Sequence, residues 1–489
     1  GTLVLAGNNT YGGGTTINAG TLQLGNWTRS GSIVGSVIDN GSLVFDRVDA
    51  AIYDGVISGA GSLTQKGAGT LTLTSPNTYT GGTTVGEDSA LALVGSGSIA
   101  GSASVVMDLN STLDISGTTN GTMVKDLQGG GSIVLGGKNL TVSNDAGFMY
   151  WGVISGSGGL TLASGNLELL SANTYTGLTT IDPGAALQLG NGAPGSVAGD
   201  ILDNGALSFY FNHAALTYGG VISGTGTLST FGTGTLTLTG TNTFTGGILV
   251  TGDQTNGGKL AVSSDVNLGA PSGEVNLEGG WLEATASFTL THPIYLYDVA
   301  STVQVDAGAT LTVANPITGD EHPYYDTYDV LLKTGAGTLV LAGDNTYGGH
   351  TSILEGTLAL TGSGSLAASS GLTDYTTFDI SGTTNGATIQ SLLGDGSITL
   401  GARTLTLSNN SNFGGVISGS GGLTLSGGTT TLSGMNTYTG LTTINAGAAL
   451  QVGNGFSGLG GSIVSDVVDN GSLTFDRYAD VTYAGTISG

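Results

Sequence analysis

The stretch NTYTGGTTV, residues 77–85, recurs along the chain and decides how the sequence folds. Near copies begin at five other asparagines: NTYGGGTTI at Asn9, NTYTGLTTI at Asn173, NTFTGGILV at Asn242, NTYGGHTSI at Asn345 and NTYTGLTTI at Asn436. Six copies in 489 residues indicate a repeat architecture, in which each unit packs on its neighbours rather than around one central core.

Two further elements recur with this stretch. The first is GVISGAGSLTQ at Gly55, with counterparts at Gly152, Gly220 and Gly415; the second is GTLTLTSPNTYTGG at Gly69, with counterparts at Gly1, Gly234 and Gly337. Larger blocks are duplicated as well, since DISGTTNG occurs at both Asp114 and Asp379. Both ends of the sequence cut through such elements, so we expect the chain to be part of a longer protein.

Within the repeats, apolar and polar residues alternate as in β-strands. In TLTLT, residues 70–74, Leu71 and Leu73 fall on one face and the threonines on the other, which predicts strands of three to five residues. The segments between them, such as SPN, TGG and DNG, consist of turn-forming residues. No segment has the pattern of a capped amphipathic helix, so we expect an all-β protein.

The spacing between copies favours a solenoid over a sandwich or a barrel. Successive copies are 68, 96, 69, 103 and 91 residues apart, which corresponds to between three and five coils of about 20 to 25 residues. A solenoid accepts a variable number of coils, whereas sandwich strands need fixed partners. We therefore predict one continuous right-handed parallel β-helix over residues 1–489, an elongated rod of about 22 coils and about 105 Å.

The composition of the chain excludes several classes of function. The chain has 9 Lys and Arg against 34 Asp and Glu, a net charge of −25, and therefore lacks the clustered cations that nucleic acids and anionic membranes require. It has no cysteine, so disulfides and thiolate chemistry are excluded. No run of apolar residues is long enough for a membrane-spanning helix.

The repeats GTLTLTGTNTFTGG, GVISGSGGLTLSG and NTYTGLTTINAGAALQVGNG resemble the passenger-associated transport repeats of autotransporter passenger domains. The resemblance extends over nearly the whole chain. It implies a type V secreted protein of a Gram-negative bacterium that is exposed at the cell surface. Such a protein is exported across the outer membrane by a C-terminal β-barrel, which is absent from this sequence. Many members of the family are adhesins or aggregation factors, and others carry an enzymatic domain upstream.

Most candidate site residues belong to repeats and suggest structural roles. Tyr79 and its counterparts are expected to pack over a corner of the coil, although a row of aromatic sugar platforms is the alternative. Five aspartates belong to recurring motifs: an Asn-Gly pair follows Asp39, Asp203 and Asp469, and DISGTTNG begins with Asp114 and Asp379. A catalytic carboxylate pair should occur only once, so this recurrence suggests a structural role. The four histidines fit no nucleophile or zinc motif.

One segment does not repeat, namely GDEHPYYDTYD, residues 319–329. Its acidic and aromatic side chains suit a loop that binds sugars or a cation, and the competing interpretation is a loop that covers a coil edge. The candidate ligand residues are Asp320, Glu321, His322, Tyr324, Tyr325, Asp326 and Tyr328. We expect no cofactor, metal site or catalytic residues elsewhere.

The sequence therefore predicts a non-enzymatic, adhesive or self-associating scaffold at the cell surface, active in adhesion, aggregation or biofilm formation. Its expected partners are other copies of itself, other cells or surface glycans, through many weak contacts along polar faces. Two alternatives stay open: a carbohydrate-active β-helix enzyme, and a passive stalk that presents a domain outside this sequence.

Overall fold

The computed structural model describes residues 1–252, 257–297, 299–319, 331–455, 460–478, 480 and 482–489. They form two compact units, residues 1–229 and 230–489. Each unit is a stack of short parallel strands, and together they contain about 23 solenoid turns. The parallel β-solenoid predicted from the repeats is confirmed, while its right-handed winding and its continuity across residues 1–489 stay predictions.

The strands of the first unit, with the strand that reaches its boundary, are β1 (Thr2–Leu5), β2 (Thr15–Ile17), β3 (Thr21–Leu24), β4 (Val37–Asp39), β5 (Ser42–Phe45), β6 (Ala51–Tyr53), β7 (Ile57–Ser58), β8 (Ser62–Gln65), β9 (Thr70–Leu73), β10 (Thr83–Val85), β11 (Ala90–Gly95), β12 (Val105–Met107), β13 (Thr112–Thr118), β14 (Thr122–Lys125), β15 (Leu127–Gly129), β16 (Ser132–Val134), β17 (Leu140–Asn144), β18 (Met149–Tyr150), β19 (Ile154–Ser155), β20 (Leu160–Leu169), β21 (Thr179–Ile181), β22 (Ala186–Gly192), β23 (Ile201–Asp203), β24 (Ala206–Phe211), β25 (Ala215–Tyr218), β26 (Ile222–Ser223) and β27 (Thr227–Phe231).

The strands of the second unit are β28 (Thr235–Leu238), β29 (Ile248–Thr251), β30 (Lys259–Val262), β31 (Val275–Glu278), β32 (Trp281–Ala284), β33 (Phe288–Leu290), β34 (Ile294–Leu296), β35 (Ser301–Val305), β36 (Thr310–Val313), β37 (Ile317–Gly319), β38 (Leu331–Thr334), β39 (Thr338–Leu341), β40 (Thr351–Ile353), β41 (Thr357–Gly362), β42 (Leu372–Asp374), β43 (Thr377–Thr383), β44 (Ala387–Ile389), β45 (Leu392–Gly394), β46 (Ser397–Thr399), β47 (Leu405–Leu407), β48 (Ser411–Phe413), β49 (Val416–Ser418), β50 (Leu423–Leu425), β51 (Thr429–Leu432), β52 (Thr442–Ile444), β53 (Ala449–Val452), β54 (Val467–Asp469), β55 (Ser472–Phe475) and β56 (Ile487–Ser488). A short 3-10 turn spans Asp265–Leu268.

Equivalent strands of neighbouring coils pair in register, so like residues stack on like. Leu22 of β3 pairs with Leu43 of β5, which pairs with Leu63 of β8, and all three are buried. The predicted inward residues Leu71 and Leu73 are 1% and 0% exposed. Leucine, isoleucine and valine side chains thus fill the interior of the coils, and this apolar burial is the main stabilising term.

The repeated asparagine connects three successive coils. The side-chain carbonyl of Asn77 accepts a hydrogen bond from the N–H of Ile57 at 2.9 Å, and its amide donates to the carbonyls of Ser75 and Ser98 at 3.0 and 3.2 Å. Asn173, Asn345 and Asn436 make equivalent bonds to Ile and Ser residues of their neighbouring coils. The three coils therefore form one hydrogen-bonded module.

The aromatic ring two residues further on packs inside the coil. Tyr79 is 1% exposed, and its hydroxyl is hydrogen-bonded to the hydroxyl of Thr83 at 2.5 Å. The same Tyr–Thr pairing is found in four other copies, at 2.7 to 2.8 Å. At Phe244, which has no hydroxyl, the partner position holds Ile248 instead of threonine. The prediction that these rings have a packing role is confirmed, and the alternative of a row of sugar-binding platforms is not favoured. Tyr11 in the first copy is the exception, since it is 42% exposed.

Candidate functional site

The loop predicted to bind a ligand lies outside the described residues. The loop lies between β37, which ends at Gly319, and β38, which begins at Leu331. Its candidate ligand residues are Asp320, Glu321, His322, Tyr324, Tyr325, Asp326 and Tyr328. The ligand role of this loop therefore stays a prediction, and the candidate surfaces below come from other parts of the chain.

The recurring aspartates stabilise turns. Asp114 and Asp379 each accept a hydrogen bond from the N–H two residues later, of Ser116 at 2.9 Å and Ser381 at 2.8 Å. Asp39 accepts in the same way from Gly41 at 2.9 Å. A carboxylate that closes its own turn is the familiar role of aspartate in loops, so the geometry favours the structural interpretation of these residues.

Two histidines have well-defined partners. His292 is 1% exposed, and its Nδ1 lies 2.9 Å from the carboxylate of Asp265, which also accepts from the N–H and hydroxyl of Thr291. His350 Nε2 is hydrogen-bonded to the hydroxyl of Thr373 at 2.8 Å, and burial lowers the pKa of His350. The His292 imidazole is buried while Asp265 is 20% exposed, so a substrate could not reach the imidazole and the pair does not form an accessible catalytic dyad.

A cluster of polar residues on the second unit was not predicted from the sequence. Lys259, Trp281, Glu283, Gln304 and Asp306 lie on three neighbouring strands, β30, β32 and β35, and the turn after β35. Register brings them together, because Lys259 pairs with Trp281 and Glu283 pairs with Gln304. A sequence search could have flagged the charged and aromatic residues in KLAV, WLEA and VQVD, but only the strand register shows that they meet.

The contacts within this cluster pair most of its charges. The Lys259 ammonium lies 5.1 Å from the centre of the Trp281 ring, 3.5 Å from the Glu283 carboxylate and 2.9 Å from the Gln304 carbonyl. The Gln304 amide donates to Glu283 at 2.5 Å and to Asp306 at 3.3 Å, so it bridges two carboxylates. Burial raises the pKa of Glu283, and the Lys259 charge opposes this effect.

All three tryptophans of the chain are at least partly exposed. Trp27 and Trp151 are 54% and 48% exposed, and Trp281 is half-buried beneath Lys259. Tryptophan is enriched at binding interfaces because a large flat ring gains much contact area for little loss of side-chain freedom. The exposed rings of Trp27 and Trp151 are therefore candidate contact residues of the first unit.

The neighbourhood of Trp151 forms a small apolar patch across three coils. Its indole lies against Gly130, where a Cβ atom would come within 2.2 Å of Nε1 and 3.1 Å of a methyl group of Leu109. Leu109 itself is 60% exposed, and Met149 and Val153 beside the tryptophan are also exposed. Gly130 thus leaves room for the indole next to Leu109, which a Cβ atom at this position would take.

Other kinds of site are not found where the structure is defined. In the described ranges, no three His, Asp or Glu side chains come close enough to hold a metal ion. The described residues also include no helix with the length and apolar character needed to cross a membrane.

Comparisons with known proteins identify the repeats. A family model named passenger-associated-transport-repeat matches residues 1–24, 63–87, 231–252, 331–360 and 425–452, which contain five of the six asparagine motifs. The fold and these repeats define the chain as a β-solenoid built from passenger-associated transport repeats. The matched repeats support an autotransporter passenger that carries this repeat.

A curated relative supports the same assignment. Adhesin BmaC autotransporter of Brucella suis biovar 1 (strain 1330) is 33% identical over 578 aligned positions, which cover all of this chain and 15% of the relative. The chain thus spans about a seventh of the length of that relative. No solved structure matches the chain.

Proposed function

We propose that this solenoid is an adhesive surface of an autotransporter passenger, displayed outside the outer membrane of a Gram-negative cell. Autotransporter passengers are exposed at the cell surface, and the relative from Brucella suis is an adhesin by name. The observation that carries the proposal is the exposure of Trp27 and Trp151 in a chain whose other large apolar residues mostly fill the interior. Ligands of such a surface would be glycans or proteins of another cell, or a second copy of this chain.

Binding would combine a few aromatic anchors with many weak polar contacts. The indole of Trp151 and the neighbouring Leu109 offer an apolar surface that suits the apolar face of a sugar ring or an aliphatic side chain. Threonine, serine and asparagine side chains on the same outer faces can hydrogen-bond around it. Repetition of weak contacts along the coils would raise the overall avidity.

The test is adhesion of beads coated with the purified chain to a monolayer of epithelial cells. We expect the wild-type chain to bind, and the Trp27→Ser/Trp151→Ser variant to lose about tenfold or more in affinity, or about 1.4 kcal/mol. Ile52→Ser is the matched control, because Ile52 is 77% exposed in the same unit but is aliphatic. Wild-type binding no greater than that of albumin-coated beads would contradict the proposal and favour a passive stalk.

Self-association is measured separately by sedimentation velocity over a concentration series. Growth of the species with concentration, reduced by the same tryptophan substitutions, would make a second copy of the chain the partner. A species of constant size, together with bead adhesion, would assign the partner to the other cell.

The carbohydrate-active alternative is favoured by one observation, the two carboxylates of Glu283 and Asp306 bridged by Gln304. Glycosidases use two carboxylates about 5 to 10 Å apart, one with a raised pKa. Here, however, Glu283 is also ion-paired to Lys259, which favours a structural cluster. Release of reducing sugar from a polysaccharide panel, abolished in Glu283→Gln, would support the enzyme, and no release by the wild-type chain would count against it.

A further inference from the structure

The three Asp-Asn-Gly turns at residues 39–41, 203–205 and 469–471 share one geometry. In each, the first oxygen of the aspartate accepts a hydrogen bond from the glycine N–H, at 2.9 Å in the first turn and 3.0 Å in the other two. The glycine nitrogen follows directly after asparagine. It is therefore the atom that can attack the asparagine side-chain carbonyl to form a five-membered ring.

The carboxylates of the first two turns are buried. Asp39 and Asp203 are 0% and 1% exposed, and the Oδ2 atom of each has no hydrogen-bond partner among the described residues. Burial raises the pKa of Asp39 and raises that of Asp203 to about 6. A carboxylate with a raised pKa binds a proton more strongly and is a better general base near neutral pH.

The asparagine carbonyls of these two turns are also polarised. Asn40 Oδ1 accepts a hydrogen bond from the N–H of Ala60 on the next coil at 3.1 Å, and Asn204 Oδ1 accepts from the N–H of Thr225 at 3.3 Å. Such donors stabilise the negative charge that develops on a carbonyl oxygen under nucleophilic attack. Asn40 is exposed and Asn204 is half-buried, so water can reach the product ring.

We propose that Asn40 and Asn204 are self-modifying sites, at which the asparagine deamidates with the neighbouring aspartate acting as the base. The aspartate takes the proton of the glycine N–H, and the glycine nitrogen forms a bond to the asparagine Cγ. The Cγ–Nδ2 bond breaks, and ammonia leaves with the proton that the aspartate returns. Water then opens the succinimide at either carbonyl and yields aspartate or isoaspartate.

The product would change the surface of the coil. Each event adds one negative charge to a chain that already carries −25. The isoaspartate product also inserts one additional carbon into the main chain at a turn where coils stack in register. Deamidation would therefore weaken the turn locally and mark the age of the exported protein.

The same chain contains two internal controls. At Asn120–Gly121 and Asn385–Gly386 the glycine N–H is bonded to a threonine hydroxyl, of Thr118 at 3.0 Å and Thr383 at 3.1 Å. A threonine hydroxyl is a far weaker base than a carboxylate near neutral pH. These two asparagines have the same following residue as the proposed sites but lack the base.

In the experiment, the folded chain is incubated at neutral pH and physiological temperature, and the deamidated positions are mapped by peptide mass spectrometry. Each event adds about 1 Da, and isoaspartate is detected by enzymatic methylation. We expect Asn40 and Asn204 to deamidate about tenfold or more faster than Asn120 and Asn385. In urea the four rates should converge, because the unfolded chain loses the aspartate geometry.

A variant tests the base directly. Asp39→Asn keeps an oxygen that can accept from Gly41 but removes the basic carboxylate, so deamidation at Asn40 should fall to the rate at Asn120 while Asn204 is unchanged. Equal rates at the carboxylate and hydroxyl sites of the folded wild-type chain would overturn the proposal, and this comparison needs no variant. An unchanged rate at Asn40 in Asp39→Asn would overturn it as well.

Discussion

The side-chain oxygen of Asn77 accepts a hydrogen bond from the main-chain N–H of Ile57, twenty residues earlier on the preceding coil, at 2.9 Å. This bond explains why the GVISG and NTYTGG elements occur together. Ile57 lies within the first element and Asn77 begins the second, and Ile154 with Asn173 and Ile417 with Asn436 repeat the pair at a separation of 19 residues. One element supplies the donor that the other element needs.

The first prediction concerns this asparagine. Asn173→Ala leaves the buried Ile154 N–H without its acceptor and removes the side-chain donor to the half-buried Ser196 carbonyl, so it should destabilise the three-coil module by about 1 to 3 kcal/mol. Hydrogen exchange at Ile154 and its neighbours should accelerate, because stability in a solenoid is largely local.

The control for this prediction is Asn139→Ala, since Asn139 is exposed and its side-chain amide donates to the hydroxyls of Thr141 and Thr161. It should change exchange little. Equal effects of the two substitutions would show that the buried asparagine contributes no more than a surface one.

The second prediction uses the Tyr175–Thr179 pair, whose hydroxyls lie 2.7 Å apart in the interior. Tyr175→Phe or Thr179→Val alone leaves a buried hydroxyl without its partner and should cost about 1 to 3 kcal/mol. The double substitution imitates Phe244 and Ile248, so its cost should be smaller than the sum of the two. A double-mutant cycle by urea denaturation measures the difference, and strict additivity would contradict the pairing.

The sequence predicted the strands but only part of how coils connect. Alternation in TLTLT placed Leu71 and Leu73 inside correctly, because period two directly gives the face of a strand. The turn-forming residues SPN predict a turn at Asn77, and its side-chain amide does donate to the carbonyl of Ser75 two residues before it. Its bonds to Ile57 and Ser98 were missed, since they depend on how adjacent coils are stacked.

The polar cluster was missed for the same reason. Lys259, Glu283 and Gln304 are separated by more than 20 residues each in the sequence, and only register brings them within bonding distance. Motif searches find residues that are close along the chain, whereas a solenoid places side by side residues that are one coil apart. The exposure of Trp151 likewise depends on Gly130 in the preceding coil.

The third prediction concerns pH. Burial, together with a smaller contribution from the nearby Asp395 charge, raises the pKa of Asp374 from its ordinary value of 3.8 to about 7. The folded state therefore keeps a proton that the unfolded state loses, so this group's stabilising contribution is complete below pH 3.8 and is lost as pH rises through about 7. Asp374→Asn should remove this dependence, because the amide is neutral at every pH.

Denaturation at two pH values measures this effect. Asp374→Asn should stabilise the second unit at about pH 8 by up to about 4 kcal/mol and have little effect at about pH 4. Asp379→Asn is the control, since Asp379 is only half-buried and closes a similar turn. Equal effects of Asp374→Asn at both pH values would refute the assignment of a raised pKa.

The fourth prediction concerns the glycine that covers each buried aspartate. A Cβ at Gly61 would lie 2.3 to 2.4 Å from the carboxylate atoms of Asp39, and one at Gly226 would lie equally close to Asp203. Real Cβ atoms do not approach so closely, so Gly61→Ala must displace the aspartate or separate the coils. Overpacking of this kind costs about 1 to 3 kcal/mol.

Gly348→Ala is the matched control, because a Cβ at Gly348 would have no neighbouring atom within 4 Å. Limited proteolysis should cleave Gly61→Ala faster near residues 39–61 and leave Gly348→Ala as resistant as the wild type; equal resistance of both variants would show that the carboxylate is not confined by Gly61.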